Sequence, residues 1–433
     1  MAIMNLGGLK LASNVILSPL ERVSDVGFRR LCFQNGAGLT WTEMIYASDL
    51  VRRPGKNEIS LSEARVSQRG GRGSNLIDTM DPETLTGVQI IVDRTTARDG
   101  WGTDLLKAAL EQLEEGASNE RPEWNNIVAV DLNFGCPAPA LSRRGAGPAQ
   151  LRRRSKIRAL FEVLHEWKKS TSLQSIKAVG AKVRLGNNER EQYYKVYLPV
   201  AEAAAENLDY LTVHARHAEQ RSRDPPTWDA IREIKESVKD DAPHLKIIGN
   251  GDIRTRDDVK KIQEQTGCDG VMIGRAAMRN PWCFRHLNGE DVGESEWPEP
   301  ADVERSFEEN EAYSSAQPAD TRYRRFRNEN FTRLRHESLR AHNREAVVSS
   351  GTKEDTGGDG VHSDWYEEWS KASSRRRHLE KMDDEEMLRQ SSLAVGEVAS
   401  VSGQTPSAGG SWRRTTNQRS WKARKKRKEN QKQ

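Results

Sequence analysis

A chain of 433 residues, 35% hydrophobic and 30% charged with a formal net charge of +4, is long enough for a full α/β barrel and a further segment. It contains no run of 18 apolar residues to span a membrane, and its opening MAIMNLGGLKLASN lacks the basic and apolar regions of a secretory signal. Its cysteines, Cys32, Cys136, Cys268 and Cys283, form neither a disulfide framework nor a CxxC metal pair, which suits a reducing, intracellular compartment.

Apolar runs rich in Val and Ile alternate with amphipathic segments. In chain order the predicted strands are NVILSPL (14–20), GLTWTEM (38–44), TGVQIIV (86–92) and IVAVDLNF (127–134). AVGAKVRL (178–185), DYLTVHA (209–215), LKIIGNG (245–251) and DGVMIGR (269–275) follow. Most are apolar on both faces, as parallel strands covered by helices must be. Helix signals stand between them. Ser24-Asp25 precedes VGFRRLCFQ, which stops at Asn35-Gly36. Pro199 suits the first turn of a helix, and Thr255 with Asp258 has capping-box spacing ahead of a segment ending at Gly267. Strand-then-helix units repeated over residues 1–290 predict a (β/α)8 TIM barrel. A doubly wound open sheet is the alternative, weakened by the lack of an early GxGxxG.

Two polar stretches, 52–84 and 116–125, interrupt the alternation and read as surface loops. Over 291–433 the apolar periodicity fails, and segments such as GTKEDTGGDG and SGQTPSAGGS have linker composition. This region reads as a largely disordered, charged C-terminal extension with a basic end at 411–433.

The C-terminal strand ends of such a barrel form its reactive face. Ser18, Pro19 and Leu20 end the first predicted strand, and the third carries Gln89. The fourth delivers Cys136, with Pro137 preventing the strand from continuing. Lys182 and Arg184 lie on the fifth, and His214 and Arg216 end the sixth. Asn250, Gly251 and Asp252 end the seventh, with Gly274 and Arg275 ending the eighth. Singly, GNGD and IGR are ordinary turns. Together, after strands seven and eight, they point to a phosphate cradle, where glycine lets backbone N–H groups approach an anion and arginine adds charge.

These motifs carry a resemblance. DLNFGCPAP, AKVRLG, TVHARHAEQ, IIGNGDI and VMIGRAAMRNPW, preceded by SPLERVSDVGFRRL, resemble the tRNA-dihydrouridine synthases in family order, from about residue 6 to Phe284. The resemblance implies an FMN-bound barrel that reduces C5=C6 of tRNA uridines, with NADPH as reductant. It places Cys136 as the acid that protonates C5. It implies cofactor contacts for Ser18, Pro19, Leu20, Gln89, Lys182, His214, Asn250, Gly251, Asp252, Gly274 and Arg275. A thiol with an ordinary pKa near 8.5 is mostly protonated at neutral pH and can act as a general acid. Cys32 and Cys268 read as structural.

The chain departs from the family pattern at RRGAGPAQLRRR, after Cys136, where a proline and arginines enter, and at ARHAEQ, which keeps only Arg216 and Gln220 of the usual loop. No helical bundle is evident beyond Phe284. Arg143, Arg144, Arg184 and Arg216 are candidates to contact RNA, the last two alternatively to order the site. Trp412 and Trp421 amid the basic residues of 411–433 suit phosphate and base contacts, and KARKKRK also reads as a nuclear signal, so the expected location is cytoplasmic or nuclear. No metal or membrane partner is expected. The other functional readings are a flavin oxidoreductase of a small molecule, resembling dihydroorotate dehydrogenase, and an inactive RNA-binding barrel.

Overall fold

The computed structural model describes residues 3–21, 23–51, 83–92, 102–118 and 127–290, and beyond them only 298, 301–303, 305–306 and 309. All fall in the first of two units into which the chain divides, Met1–Glu354. Most of the predicted loop at 52–84, all but the edges of the loop at 116–125 and the basic end at 411–433 lie outside the described residues.

The chain opens with a hairpin of β1 (Met4–Leu6) and β2 (Leu9–Leu11), antiparallel, whose turn at Gly7-Gly8 needs positive φ. The barrel follows: β3 (Val15–Leu17), α1 (Val26–Gln34), β4 (Thr40–Tyr46), α2 (Ala47–Leu50), β5 (Thr86–Ile91), α3 (Thr103–Ser118) and β6 (Ile127–Phe134). Then come α4 (Pro139–Arg143), α5 (Arg154–Ser170), β7 (Ala178–Arg184), α6 (Glu189–Tyr193), α7 (Leu198–Asn207), β8 (Tyr210–His214) and α8 (Asp229–Val238). β9 (Lys246–Asn250), α9 (Arg256–Thr266), β10 (Gly270–Ile273), α10 (Arg275–Arg279) and α11 (Cys283–Leu287) complete the described elements.

All eight predicted strands are present, parallel, in the order β3-β10-β9-β8-β7-β6-β5-β4. The two edges meet where the Leu17 amide donates to the Leu39 carbonyl and the Gly38 amide to the Val15 carbonyl, each at 2.9 Å. That contact closes the sheet into the expected barrel. Outward strand residues such as Val130, Val179, Val183, Leu211 and Ile247 are buried with Leu160, Phe161, Ala204, Ile231 and Ile262 of the surrounding helices. Removing one such Leu or Ile side chain to Ala costs about 2–5 kcal/mol.

The caps form as the sequence requires. Asp25 accepts from the Phe28 amide at 2.6 Å, and Thr255 with Asp258 forms a reciprocal capping box on a helix closed by left-handed Gly267. The hairpin seals the N-terminal end of the barrel, its Leu6 and Leu11 packed with Ile16, Trp41, Tyr210 and Met272. Trp41 and Tyr210 fit there because a Cβ on Gly87 or Gly180 would lie 2.2 Å from one of their rings. The opposite, C-terminal end is left to the loops. Packing also continues past residue 290, since Val303 is buried against Leu31 and Trp282.

Candidate active site

Asn133, on the last turn of β6, directs the loop that carries Cys136. Its Oδ1 accepts from the amides of Gly135 at 3.0 Å and Cys136 at 2.9 Å, while its Nδ2 donates to Gln89 Oε1 at 2.6 Å. Gln89 Nε2 in turn donates to Asp131 Oδ2 at 2.7 Å. Backbone amides can only donate, so they face the Asn133 carbonyl oxygen. Asn133 then presents its amide to the Gln89 carbonyl, which leaves Gln89 Nε2 for Asp131, so both side-chain amides are held in one orientation from the loop end. Gln89 and Asp131 are each 1% exposed, so no water competes for these bonds.

The other side of the loop is held by Arg184, whose Nε donates to the Gly135 carbonyl at 2.8 Å and whose NH1 donates to the His217 carbonyl at 3.2 Å. Cys136 packs against Ile91, Leu141 and Ala146. The arginine-rich stretch after it makes an ordered wall: Gly147 takes φ +62°, and a Cβ there would sit 2.7 Å from the Cys136 carbonyl oxygen. Gln150 donates to the Val92 carbonyl at 2.8 Å and pins the far end of that wall. Burial pushes the Cys136 thiol pKa up and Glu21 adds to this, while the Ala138 amide, Arg184 and Lys182 act against it. Burial likewise pushes Asp131 up to about 7, opposed by Gln89, Lys182 and the Tyr210 hydroxyl.

Across the barrel mouth the charge is positive. Lys182 reaches Asn250 Oδ1 at 3.3 Å, and Asn250 is itself fixed by donating to the Met272 carbonyl at 2.7 Å. Burial, and then Arg184, bring the Lys182 pKa down to about 8, with Asp131 and Cys136 opposing. His214 is held well below its ordinary range by burial and by Arg184, Lys182, Arg216 and Arg275 together, so its ring is neutral. Arg216 and Arg275 both donate to the Asp252 carboxylate, and Arg216 also bonds the carbonyls of Ser222 and Asp224. Asp252 sits at φ +52°, a left-handed conformation that turns its side chain back toward both guanidinium groups.

Gln89 lies within β5, buried beneath the mouth, and the remaining residues named from the sequence have these surroundings. The Ser18 amide donates to the Ile273 carbonyl at 2.7 Å, and a Cβ on Gly274 would lie 3.6 Å from Leu20 and 3.7 Å from Ser18, so the first and last strand turns adjoin. Pro19 lies between Ser18 and Leu20, half-buried. Gly251 faces His214 and Pro226. Arg143 is exposed and Arg144 lies over the Tyr46 ring, 5.2 Å from its centroid. Arg184 and Arg216 are buried and bonded to protein acceptors, the geometry of residues that order the site. Asp131 escaped sequence reasoning, although a carboxylate two positions before Asn133, and so on the same strand face, inside an otherwise apolar strand was the available signal.

A family model described as dihydrouridine synthase (Dus) matches residues 105–358, more than half of the chain. The chain belongs to the dihydrouridine synthase family. A protein of Pasteurella multocida named tRNA-dihydrouridine synthase B is 27% identical over 65% of this chain and 71% of its own length. Proteins named probable tRNA-dihydrouridine synthase from Mycobacterium tuberculosis and Aquifex aeolicus are each 29% identical, over 67% and 63% of this chain and 66% and 72% of their own.

As a dihydrouridine synthase the chain is a flavin-dependent oxidoreductase. Its mouth suits an anionic cofactor. Arg184, Lys182, Arg216 and Arg275 all act on His214, Asp252 bridges the last two of them, and burial leaves Asp131 half-protonated near neutral pH. Charges at a partly buried mouth are screened less than at an open surface, which favours an anionic ligand there. Among the described residues no group of three or more His, Cys, Asp or Glu is placed to hold a metal ion, and no helix is long and apolar enough to cross a membrane.

Proposed function

We propose that this dihydrouridine synthase reduces C5=C6 of uridine in tRNA, binding FMN in the barrel mouth with Cys136 as proton donor. The observation that carries the reading is the Asn133–Gln89–Asp131 chain, which fixes a protonated, half-buried thiol beside a buried cationic pocket. Lys182 and Arg275, together with the turns at Gly251 and Gly274, are the groups that would hold the cofactor's polar and phosphate portions. Ser18, Pro19, Leu20, Gln89, His214, Asn250 and Asp252 would frame it. Bound FMN, reduced by NADPH, would supply the hydride that adds to C6.

The chain's own contribution is to the proton. Burial keeps the Cys136 thiol protonated at neutral pH, so it can donate at C5 as negative charge develops there. The resulting thiolate is stabilised by Arg184 and Lys182, the cations that already act on it, until solvent restores the proton. Asn133 and Arg184 hold the loop in one conformation through that cycle, which limits the reorganisation a proton transfer requires.

The test is to incubate the purified protein with NADPH and unmodified tRNA and to assay dihydrouridine. Cys136→Ala should keep its flavin and lose at least about 100-fold in turnover, the usual contribution of a positioned general acid. Turnover at the native rate in that variant removes Cys136 from the mechanism. Absence of dihydrouridine despite bound flavin removes tRNA as the substrate.

A further inference from the structure

The large apolar or aromatic side chains that stand exposed among the described residues are Ile3, Tyr193 and Tyr194. The two tyrosines are adjacent, 78% and 64% exposed, and packed edge to face with ring centroids 5.3 Å apart. They end the short helix α6, which follows β7 and therefore stands on the C-terminal rim, the face that carries Cys136. Single exposed aromatics are common and call for no explanation. A contacting pair at the mouth of a catalytic barrel is a different matter, because two rings are kept in water at a place where substrate must pass.

The support beneath the pair is rigid. Asn188 caps α6 by accepting from the Glu191 amide at 3.0 Å, and Glu191 accepts from the Asn187 amide at 2.8 Å. Gln192 donates to Thr227 Oγ1 at 3.1 Å, tying the helix to the segment after β8. Lys195 ends the turn at φ +50° and bonds Glu233, which also accepts from the Tyr197 hydroxyl at 2.7 Å. The rings thus project from a fixed scaffold and need little ordering when they bind.

The surroundings are basic. The Arg190 guanidinium lies 5.7 Å from the Tyr194 ring centroid and is itself exposed. Arg152, 3.8 Å from Glu191, brings the exposed Arg152–Arg154 run of the Cys136 loop against α6. Stackable faces beside phosphate-seeking guanidinium groups are what unpaired nucleotides require, since every base presents a π-face and every linkage a charge.

We infer that Tyr193 and Tyr194 form a stacking platform for unpaired bases of the RNA substrate, with Arg190 and Arg152 as its phosphate contacts. This rests on tRNA being the substrate. It adds a binding site on the barrel itself, made of residues other than those of the cationic mouth. The rings carry affinity through stacking, and their hydroxyls are dispensable.

The test uses the full-length, flavin-bound protein and fluorescein-labelled unmodified tRNA, with binding read by anisotropy and turnover followed against tRNA concentration. Y193A/Y194A should weaken binding about 5- to 150-fold, the range for loss of one stacked base, and raise KM to match. Its flavin content and kcat at saturating tRNA should stay native, and Y193F/Y194F should bind as the native protein does. Binding within twofold of native in the alanine variant overturns the inference and leaves the pair to a protein partner. Should that variant fold poorly, 4-thiouridine-substituted tRNA irradiated with the native protein decides: cross-links at Tyr193 or Tyr194 support the platform, and their absence there overturns it. Anisotropy needs no turnover, so a protein that binds tRNA through the tyrosines but forms no dihydrouridine would sink the functional reading and uphold the platform as an RNA contact only.

Discussion

Replacing Asp131 by Asn separates charge from hydrogen bonding in the middle of the barrel. The native carboxylate is 1% exposed, and burial raises its pKa from 3.8 to about 7. In the unfolded chain it ionises near 3.9. Between those values the folded state retains a proton that the unfolded state has lost, so stability falls as pH rises from about 4 to about 7 and is level above that. At about 1.4 kcal/mol per pH unit the penalty reaches about 4 kcal/mol. An Asn has no such proton to lose. It can turn its carbonyl toward Gln89 Nε2 and its amide toward Tyr210, whose hydroxyl accepts as readily as it donates. About 4 kcal/mol is a ceiling, because Lys182 loses the anion that supports its own proton and falls further below about 8. Asp131→Asn is therefore expected to match native stability near pH 4 and to exceed it by about 1–4 kcal/mol at pH 8. At about 2–4 °C per kcal/mol that difference is visible in thermal unfolding followed by circular dichroism at pH 4.5, 6 and 8. A variant less stable than native at pH 8, or a stability gap that does not change with pH, would refute the reasoning.

Gly147→Ala forces a Cβ to within 2.7 Å of the Cys136 carbonyl at a φ of +62°, which L residues adopt at a cost of about 1–2 kcal/mol. The loop must shift, so turnover should fall at least about 10-fold while the barrel stays folded, since misplacing a reacting group by about 1 Å is that expensive. Native turnover in this variant would show that the Cys136 loop tolerates movement. Asp252→Ala removes the shared partner of Arg216 and Arg275. With the Arg216 side chain 2% exposed, the uncompensated charge should lower stability by about 3–5 kcal/mol, and a loss under 1 kcal/mol in chemical denaturation would mean that the backbone carbonyls alone satisfy it.

The barrel was legible because its strands are apolar on both faces and its helices are bounded by side chains with unambiguous roles, Asp25 and Thr255 at starts and Gly267 at an end. The hairpin over Met4–Leu11 was not read. Its strands are three residues each, too short for periodicity, although Gly7-Gly8 between apolar residues is a hairpin signal. The strand ends could be read as sharing one side, because a parallel barrel puts all such ends together. What one-dimensional reading missed is pairing across the barrel. Gln89 and Asp131 are 42 positions apart and meet because β5 and β6 are neighbours in register, while Arg184 reaches back 49 positions to Gly135. The arginine-rich loop after Cys136 looked unlike its family and is nonetheless packed, through Leu141, Ala146 and Gln150, which its composition conceals.

That packing bears on where the arginines act. Arg184 and Arg216 carry their charge inward, to Gly135, His217, Asp252, Ser222 and Asp224, all protein acceptors. Arg143, Arg152, Arg153 and Arg154 carry theirs outward from the same rim. Exposed arginines gathered on one rim attract a polyanion, and affinity is gained when phosphates bind and counterions leave. The two sets are therefore separable by salt. Raising ionic strength should weaken attraction at the outer set steeply, because those charges face solvent. The inner pairs, screened by burial, should hold the Cys136 loop and the turn at Asp252 unchanged.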